Sequence, residues 1–280
     1  MDTKIIIALH KPYEVPDDEV YLPLFVGAKG KESIVRLDCG LWNKDSDIDE
    51  AIERDDSLEN ISEKNPYFCE LTALYWAWKN LDNDYIGLVH YRRHFSIKKK
   101  SYRKKYGKFA SILTGTEAAA LLKRADIVVP QKRKYYIESL YSHYSHTHDG
   151  SHLDITKEII SKKYPEILPY LEEAYHRTWG YMFNMFIMDR ALVDEYCSFL
   201  FDVLFELEKR VDVSGLDPFS ARLFGRVSEI VFNAWILKKQ SEGKTVIEAK
   251  LMDMEPVNWT KKILHFLEAK FGNKKYSKSM

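Results

Sequence analysis

The sequence has few cysteines, no net charge and no long apolar run, and each absence argues against a class of protein. Its three cysteines, Cys39, Cys69 and Cys197, lie far apart and form no CxxC pair, which favours a reduced, cytoplasmic protein over a disulfide scaffold. Lys and Arg together number 42, as do Asp and Glu, and this balance argues against a nucleic-acid binder. No apolar run approaches the roughly 20 residues of a membrane span, and the run KIIIAL at 4–9 is too short for a signal peptide.

Several short enzyme fingerprints are also absent. The chain contains no phosphate-binding P-loop, no GxGxxG dinucleotide motif and no nucleophile elbow. The triplet DND at 82–84 has the spacing of a metal-binding DxD motif, but it precedes an apolar run instead of following one. We therefore predict a turn at this position.

Aromatic residues are abundant, at 14% of the chain with 18 tyrosines. Tyrosine presents both an apolar ring and a hydroxyl group, so tyrosine-rich surfaces suit sugars and nucleotides. An aromatic core would explain the same composition, and composition alone leaves both interpretations open.

Apolar runs alternate with helical patterns, which predicts an α/β layer fold. The runs KIIIAL (4–9), DYIGLV (84–89) and DIVVP (126–130) are typical of strands buried on both faces. A helical apolar repeat covers 62–81, a strand is expected at 181–190, and long helices are expected after 190 and after 224. We predict one domain over 1–245, followed by a helical C-terminal extension, a basic amphipathic tail over 246–280.

Cationic residues follow three of the predicted strands. His10 and Lys11 follow the first, HYRR at 90–93 follows the second, and QKR at 131–133 follows the third. If these strands are parallel, their carboxyl ends share one edge, where open α/β sheets bind ligands. Arginine binds phosphate oxygens bidentately and stays charged, so we expect a diphosphate ligand. Pairing of Arg92 and Arg93 with nearby acids is the alternative.

A histidine-rich run, 143–152, contains four histidines and Asp149. Imidazole is a common zinc ligand, but the spacing matches no short zinc pattern and no cysteine assists. A substrate loop whose histidines bind hydroxyl groups or exchange protons is the favoured interpretation.

Four segments, in this order, carry a resemblance to a known family. They are NISEKNPYFCELTALYWAWKN (60–80), YIGLVHYRRHF (85–95), ADIVVP (125–130) and NMFIMDR (184–190). Together they resemble the DUF4422 family, whose members look like glycosyltransferases of bacterial capsule, exopolysaccharide and O-antigen synthesis. The resemblance extends from about His10 to Trp235, which is most of the chain.

The resemblance implies a GT-A-like fold, in which a Rossmann-type mixed sheet flanked by helices binds a nucleotide-sugar near its strand ends. It implies transfer of a sugar, with galactofuranose as a candidate, from a UDP-sugar to a hydroxyl of a growing surface polysaccharide. In such folds a DxD motif commonly holds Mn²⁺ or Mg²⁺ on the diphosphate. Here the residues 90–93 occupy that place, so we expect cations to neutralise the leaving group without a metal site. A non-catalytic scaffold that binds nucleotide-sugar or glycan is the alternative function.

The strand-end pattern and the resemblance together assign three sets of candidate residues. The donor and diphosphate site is expected to contain His10, Lys11, Tyr13, Gly27, His90, Tyr91, Arg92 and Arg93. The acceptor site is expected to contain His148, His152, Trp179, Asn184 and Arg226. The base that takes the acceptor proton in an inverting reaction is expected among Asp149, Asp154 and Glu229, while a retaining reaction stays open.

Two basic segments suggest contacts with partners. Residues 97–108 carry seven bases and no acid, a composition typical of a mobile or partner-binding loop. From residue 259 onward the chain has six Lys and one Glu, with apolar residues on one predicted helix face. This tail is expected either to contact an anionic membrane, where lipid-linked glycans reside, or to pack on its own domain. We expect a cytoplasmic protein, peripheral at the inner face of the membrane, with no nucleic-acid partner.

Overall fold

The structure, a computed structural model, describes residues 1–11, 13–31 and 52–255. These residues form two compact units. The first unit contains the described residues of Met1–Gln131, with Asn184–Cys197 and Thr245–Glu255; the second contains Lys132–Phe183 and Ser198–Lys244. The single domain over 1–245 that the sequence predicted stays a prediction.

Strands and helices alternate along much of the chain, which confirms a mixed α/β fold. The strands are β1 (Thr3–Leu9), β2 (Tyr21–Phe25), β3 (Glu53–Arg54), β4 (Tyr85–His90), β5 (Arg93–Ser96), β6 (Ile127–Pro130), β7 (Arg133–Lys134), β8 (Trp179–Gly180), β9 (Phe186–Asp189) and β10 (Val246–Asp253). The α-helices are α1 (Asn65–Phe68), α2 (Leu71–Asn80), α3 (Lys100–Tyr106), α4 (Gly115–Leu122), α5 (Leu140–Thr147), α6 (Ser151–Lys163), α7 (Leu168–His176), α8 (Arg190–Glu208) and α9 (Leu223–Ser241). Short 3₁₀ turns occur at Ser62–Lys64, Phe109–Ser111 and Ser220–Arg222.

The first unit is built on one sheet with the strand order β3-β2-β1-β4-β5-β10-β6-β9. The first four strands are parallel to one another. An additional antiparallel pairing of β9 with β4 closes β4, β5, β10, β6 and β9 into a ring of five strands. The sheet is therefore a parallel half joined to a small closed barrel, with β4 common to both.

Strands β1 and β4 have buried, apolar centres. Ile5, Ile6 and Ile7 of β1 have no exposed surface, which confirms a strand covered on both faces. In β4, a Cβ atom on Gly87 would lie 3.0 Å from both the Phe186 carbonyl oxygen and the side chain of Ile187. Glycine is required here because β9 approaches β4 closely.

The helical repeat over 62–81 forms two helices instead of the single one that the sequence predicted. Pro66 begins α1 as expected, but Cys69 has a φ angle of +53° and ends it. Leu71 then starts α2, whose buried face contains Leu71, Leu74 and other apolar residues. The break gives Glu70 a place directly before the amino terminus of α2.

The first residues that the sequence assigned to the C-terminal tail form a strand of the sheet. Residues 246–253 form β10, which pairs with β5 and β6 inside the sheet. Ala249 and Met252 of this strand are buried, whereas Glu248 and Lys250 are exposed. The remainder of the predicted tail, 256–280, lies outside the described residues.

The second unit consists mainly of helices, with a two-stranded antiparallel sheet of β7 and β8. The buried side chain of Asn233 on α9 accepts a hydrogen bond from the Tyr181 N–H at 2.8 Å and donates one to the Tyr181 carbonyl at 2.9 Å. This exchange satisfies polar groups in the core of the unit. Within the described part of the chain, no helix is long and apolar enough to cross a membrane.

Candidate functional site

The sheet topology of the first unit brings several predicted site residues to one edge. β1 and β4 pair in parallel with Ala8 opposite His90, so His10, Lys11 and Tyr91 follow neighbouring carboxyl ends. This confirms the predicted common edge for the first two cationic segments. The tight turn from β4 to β5 contains Tyr91 and Arg92 and pairs His90 with Arg93.

The third cationic segment follows β6, which runs in the same direction as β4, because β6 is parallel to β10 and both β10 and β4 are antiparallel to β5. The predicted parallel direction of the three strands is therefore confirmed. Lys132 and Arg133 belong to the second unit. There the Lys132 ammonium lies 4.3 Å from the ring centroid of Trp179, and the Arg133 guanidinium lies 5.1 Å from that of Tyr135. Their charges are thus placed over aromatic rings of the second unit.

Tyr91 is the centre of an aromatic and cationic cluster in the first unit. Its ring is buried and meets the rings of His10 and Tyr13 edge-on, at centroid distances of 5.2 and 4.9 Å. The Lys11 ammonium and the Arg92 guanidinium lie 5.4 and 5.2 Å from the same ring. We call these five residues the Tyr91 cluster.

Carboxylates partly neutralise the cations at this edge. Glu255 lies 3.9 Å from Lys11 and 3.4 Å from Arg92, while Arg93 lies 3.3 Å from Asp253. The alternative in which the arginines pair with acids is therefore present in the structure. Lys11 and Arg92 nevertheless share a single carboxylate, so this group of three keeps a net positive charge. Both side chains are partly exposed, at 50% and 39%.

Tyr13 lies in the same electrostatic environment. Its phenol pKa is raised above the ordinary value of 10.0, first by burial and then by the negative charge of Glu255. The hydroxyl therefore stays protonated at neutral pH and is available as a hydrogen-bond donor.

Gly27 lies in the turn that follows β2, in a left-handed conformation that glycine adopts without strain. Its φ angle is +62°, and a Cβ atom would lie 2.5 Å from Asn65 Oδ1. The fully buried Asp55 carboxylate accepts the N–H groups of Gly27 and Ala28 at 2.8 and 3.0 Å, and the Thr72 hydroxyl at 2.6 Å. Asp55, which the sequence interpretation did not single out, therefore fixes the turn that follows β2.

A second cluster of side chains at this edge surrounds Glu70, which the sequence did not lead us to predict as a site residue. The Glu70 carboxylate, only 10% exposed, accepts a hydrogen bond from Asn184 Nδ2 at 2.8 Å. His90 Nε2 lies 3.9 Å from the same oxygen, Oε1. We call Glu70, His90 and Asn184 the Glu70 cluster. It places a carboxylate and an imidazole beside the Tyr91 cluster, because His90 directly precedes Tyr91.

The backbone around Glu70 is strained at two points. Cys69 and Asn184 have φ angles of +53° and +52°, in a region that non-glycine residues rarely adopt. Such strain is frequently found at functional sites, where the surrounding structure holds it in place. In the sequence, Glu70 is an acidic residue inside the mostly apolar helical pattern of 62–81, and this was the signal that could have indicated the site.

Four predicted residues meet in a pocket of the second unit. The pocket has a volume of about 430 Å³ and is lined in part by His148, Asp149, His152 and Arg226. The Tyr144 hydroxyl lies 3.0 Å from His152 Nδ1, and the Arg226 guanidinium lies 4.1 Å from the Phe219 ring centroid. Hydroxyl, imidazole, carboxylate and guanidinium groups together suit a polyhydroxylated ligand. The histidine run is not a loop, because α5 and α6 contain most of it.

The remaining candidates lie outside the lining of this pocket. Asp154 is exposed and accepts a hydrogen bond from the Tyr141 hydroxyl at 2.9 Å, which helps to raise the tyrosine pKa. Glu229 is half-buried on α9. Trp179 has the Arg177 guanidinium 4.3 Å from its ring centroid, in addition to Lys132.

Two other histidines of the run bind a buried carboxylate. His143 Nδ1 and His146 Nδ1 lie 2.8 and 2.6 Å from the two oxygens of Glu138, and the histidines hold the pKa of this carboxyl below its ordinary value against the effect of burial. Across 1–11, 13–31 and 52–255, no group of three His, Cys, Asp or Glu side chains is arranged to hold a metal ion.

The chain is similar to one solved glycosyltransferase structure and matches one family profile. No significant match was found among curated proteins. The solved apo structure of the bifunctional glycosyltransferase WbbM is similar, with a TM-score of 0.77 and 28% sequence identity. The match covers 91% of this chain and 46% of that chain, so the present chain spans under half the length of WbbM. The profile of the family described as "Domain of unknown function (DUF4422)" matches residues 4–240, and the chain therefore belongs to the DUF4422 family.

Proposed function

We propose that this protein is a glycosyltransferase that moves a sugar from a UDP-sugar to a hydroxyl of a growing bacterial surface polysaccharide. The observation that carries the proposal is the Tyr91 cluster, at the carboxyl ends of two parallel strands, in a chain 28% identical to a bifunctional glycosyltransferase. The parallel order β3-β2-β1-β4 supports a GT-A-like, Rossmann-type assignment. Galactofuranose is the proposed donor sugar.

Lys11 and Arg92 are proposed to bind the diphosphate of the donor. They share the Glu255 carboxylate, and a diphosphate in its place would meet two cations with shorter, charge-assisted hydrogen bonds. When the bond between the anomeric carbon and the phosphate oxygen breaks, UDP leaves with the electron pair. The two cations then stabilise the charge that develops on the leaving group.

Tyr13 and His10 are proposed to contact the uracil ring. Both pack edge-on against Tyr91, which holds them in place. Bases stack on aromatic side chains of this kind, and the protonated Tyr13 hydroxyl can also donate to a carbonyl or phosphate oxygen.

Glu70 is proposed as the general base. The new bond forms between the acceptor oxygen and the anomeric carbon, and the proton of the acceptor hydroxyl passes to the Glu70 carboxylate. Asn184 fixes one carboxylate oxygen of Glu70 by its hydrogen bond. Glu70 directly precedes α2, whose amino-terminal dipole favours a negative charge. We propose Glu70 ahead of Asp149, Asp154 and Glu229, because Glu70 lies in the same unit as the Tyr91 cluster.

The pocket of the second unit is proposed to bind the acceptor glycan. Asp149, His148, His152 and Arg226 can exchange hydrogen bonds with sugar hydroxyls. In this assignment Asp149 binds and orients the acceptor, while Asp154 lies outside the pocket and contributes little. Asn184, which the sequence assigned to the acceptor, acts through Glu70 instead.

We propose that transfer does not require a divalent metal. The carboxylates at the strand-end edge already contact other side chains of the protein. Glu70 contacts Asn184, Asp253 contacts Arg93, and Glu255 contacts both Lys11 and Arg92. These residues do not fit a cation site, and the positive charges at the edge suit the diphosphate directly.

A donor screen tests the proposal. The full chain is mixed with a series of UDP-sugars and a glycan acceptor, with and without EDTA, and UDP release and product mass are measured. We expect turnover with one UDP-sugar, unchanged by EDTA. Tight UDP-sugar binding without turnover would favour the non-catalytic scaffold. A melting temperature that UDP does not raise would contradict the proposed donor site.

A further inference from the structure

The basic segment 97–108 forms a surface that the proposed donor and acceptor sites do not use. It contains α3 and its flanks, and no residue of α3 is buried. Tyr102 and Tyr106 are 38% and 53% exposed, and Ile97 before the helix is 41% exposed. We call the surface formed by residues 97–108 the α3 surface.

The cations of the α3 surface are of two kinds. Arg103 and Lys108 hold the segment to the first unit, through Met252 Sδ at 3.7 Å and the Met254 carbonyl oxygen at 2.8 Å. Lys99, Lys100 and Lys104 are exposed, and the side chain of none of them forms an ion pair or a hydrogen bond with another described residue. Their charges are therefore available to an external anion.

The apolar and charged groups lie side by side on this short helix. Tyr102 and Tyr106 are four positions apart, with ring centroids 4.6 Å apart, so they share one flank. Lys100 and Lys104 have the same spacing and share another flank. Tyrosine is favoured at the boundary between water and lipid, and each lysine near an anionic leaflet gains favourable electrostatic energy.

We propose that the α3 surface binds the anionic face of a lipid bilayer. Charge complementarity supports the proposal, because unpaired lysines flank exposed tyrosines and the segment contains no acid. A helix of seven residues is about 10 Å long, which is too short to follow many phosphates of a nucleic acid but suits contact with a plane of head groups. Binding to the bilayer does not depend on the proposed transferase activity.

The α3 surface is connected to the proposed donor site through the end of the described chain. Lys108 binds the carbonyl of Met254, and the next residue, Glu255, contacts Lys11 and Arg92 of the Tyr91 cluster. Attachment through α3 would therefore hold the proposed donor site near the head groups. If the proposed function is correct, a lipid-linked acceptor would be presented there.

Vesicle flotation of the full chain tests the proposal. Vesicles of phosphatidylcholine alone are compared with vesicles that also contain phosphatidylglycerol. We expect binding to the anionic vesicles only, and weaker binding as salt is raised. The triple variant Lys99→Gln, Lys100→Gln, Lys104→Gln is expected to reduce this binding at least about tenfold.

Matched variants separate the α3 surface from the rest of the chain. The triple variant Lys123→Gln, Lys134→Gln, Lys162→Gln removes the same charge from exposed positions elsewhere and should bind like the unaltered protein. Tyr102→Ser with Tyr106→Ser should weaken binding, whereas Leu58→Ser with Tyr136→Ser, two exposed apolar positions, should not. Circular dichroism and UDP affinity check that each variant is folded.

Three results would overturn the proposal. In the first, the unaltered protein fails to bind anionic vesicles. In the second, the α3 lysine variant (Lys99→Gln, Lys100→Gln, Lys104→Gln) binds them as well as the unaltered protein, which would assign binding to another segment such as the tail. The α3 lysine variant could also lose binding to an oligouridylate while vesicle binding stays intact, which would make this a nucleic-acid surface. UDP-sugar turnover without acceptor lipid is measured separately, so a failure of the proposed function is distinguishable.

Discussion

Asn184 donates a hydrogen bond from its side-chain amide to Glu70 Oε1 at 2.8 Å, across 114 positions of sequence. The bond connects the residue before α2 with the segment that leads into β9. His90 lies 3.9 Å from the same carboxylate oxygen, at the end of β4. Three separate segments therefore meet at the Glu70 carboxylate, beside the carboxyl end of β4.

Glu70→Gln is expected to lower kcat by about 100-fold or more and to leave the Kd for UDP unchanged, because glutamine keeps the shape but cannot accept a proton. Steady-state kinetics and calorimetry measure the two quantities. Glu63→Gln, an exposed position in the same segment, is the control. Wild-type kcat in Glu70→Gln would remove Glu70 from the chemical step.

Lys11→Gln and Arg92→Gln are each expected to weaken UDP binding roughly 10- to 100-fold, since each removes a charged hydrogen-bond donor to phosphate. Binding of uridine, which has no phosphate, should stay the same. Arg124→Gln, an exposed site in the same unit, controls for the lost charge. Arg93→Gln should act mainly on stability, because Arg93 is more buried and pairs with Asp253. Equal UDP affinity in all four variants would contradict the diphosphate assignment.

Glu255→Gln is expected to strengthen UDP binding several-fold, because the carboxylate competes with phosphate for Lys11 and Arg92. The change should be largest at low ionic strength, where charge interactions are least screened. Glu248→Gln, at an exposed position of β10, the strand that leads to Glu255, serves as the matched control. A weaker UDP complex in Glu255→Gln would mean that Glu255 holds the cations in place for the ligand.

Asp149→Asn is expected to raise the KM for the glycan acceptor about tenfold, with little change in the Kd for UDP, since the carboxylate accepts hydrogen bonds from sugar hydroxyls. Asp154→Asn lies outside the pocket lining and should leave both quantities unchanged. Acceptor kinetics at saturating donor measure the difference. A larger increase of the acceptor KM in Asp154→Asn than in Asp149→Asn would place the acceptor site near Asp154 instead.

His94 is expected to make the first unit less stable in acid. It is fully buried, and burial lowers its pKa from 6.5 to about 4. The unfolded chain therefore takes up this proton first as pH falls, so stability is complete above about pH 6.5 and decreases towards pH 4. Between pH 7.5 and pH 5 the loss from this group is about 2 kcal/mol.

Urea unfolding at these two pH values, with and without His94→Leu, measures that loss. The variant should lack the part of the pH dependence that His94 causes, although its stability at pH 7.5 differs for packing reasons. His176→Leu, at an exposed position, should keep the full dependence. The same pH dependence in His94→Leu and in the unaltered chain would show that His94 is not the source.

Local sequence determined the buried strands and the cations that follow them. The composition of 4–9 and 84–89 is enough to predict strands covered on both faces, because an apolar run of that length must be buried. The positions of Lys11 and Arg92 directly after those runs then predicted a shared edge, which the parallel pairing of β1 and β4 confirmed.

Only the tertiary structure shows which side chains those cations contact and which groups surround Glu70. Glu255 approaches Arg92 from 163 positions away, and Asn184 approaches Glu70 from 114, so no local pattern contains either contact. The inclusion of 246–253 in the sheet also depends on pairing with distant strands, β5 and β6. A helical or basic pattern records which residues are apolar or charged, whereas the contacts of each charge are set by segments that only folding brings together.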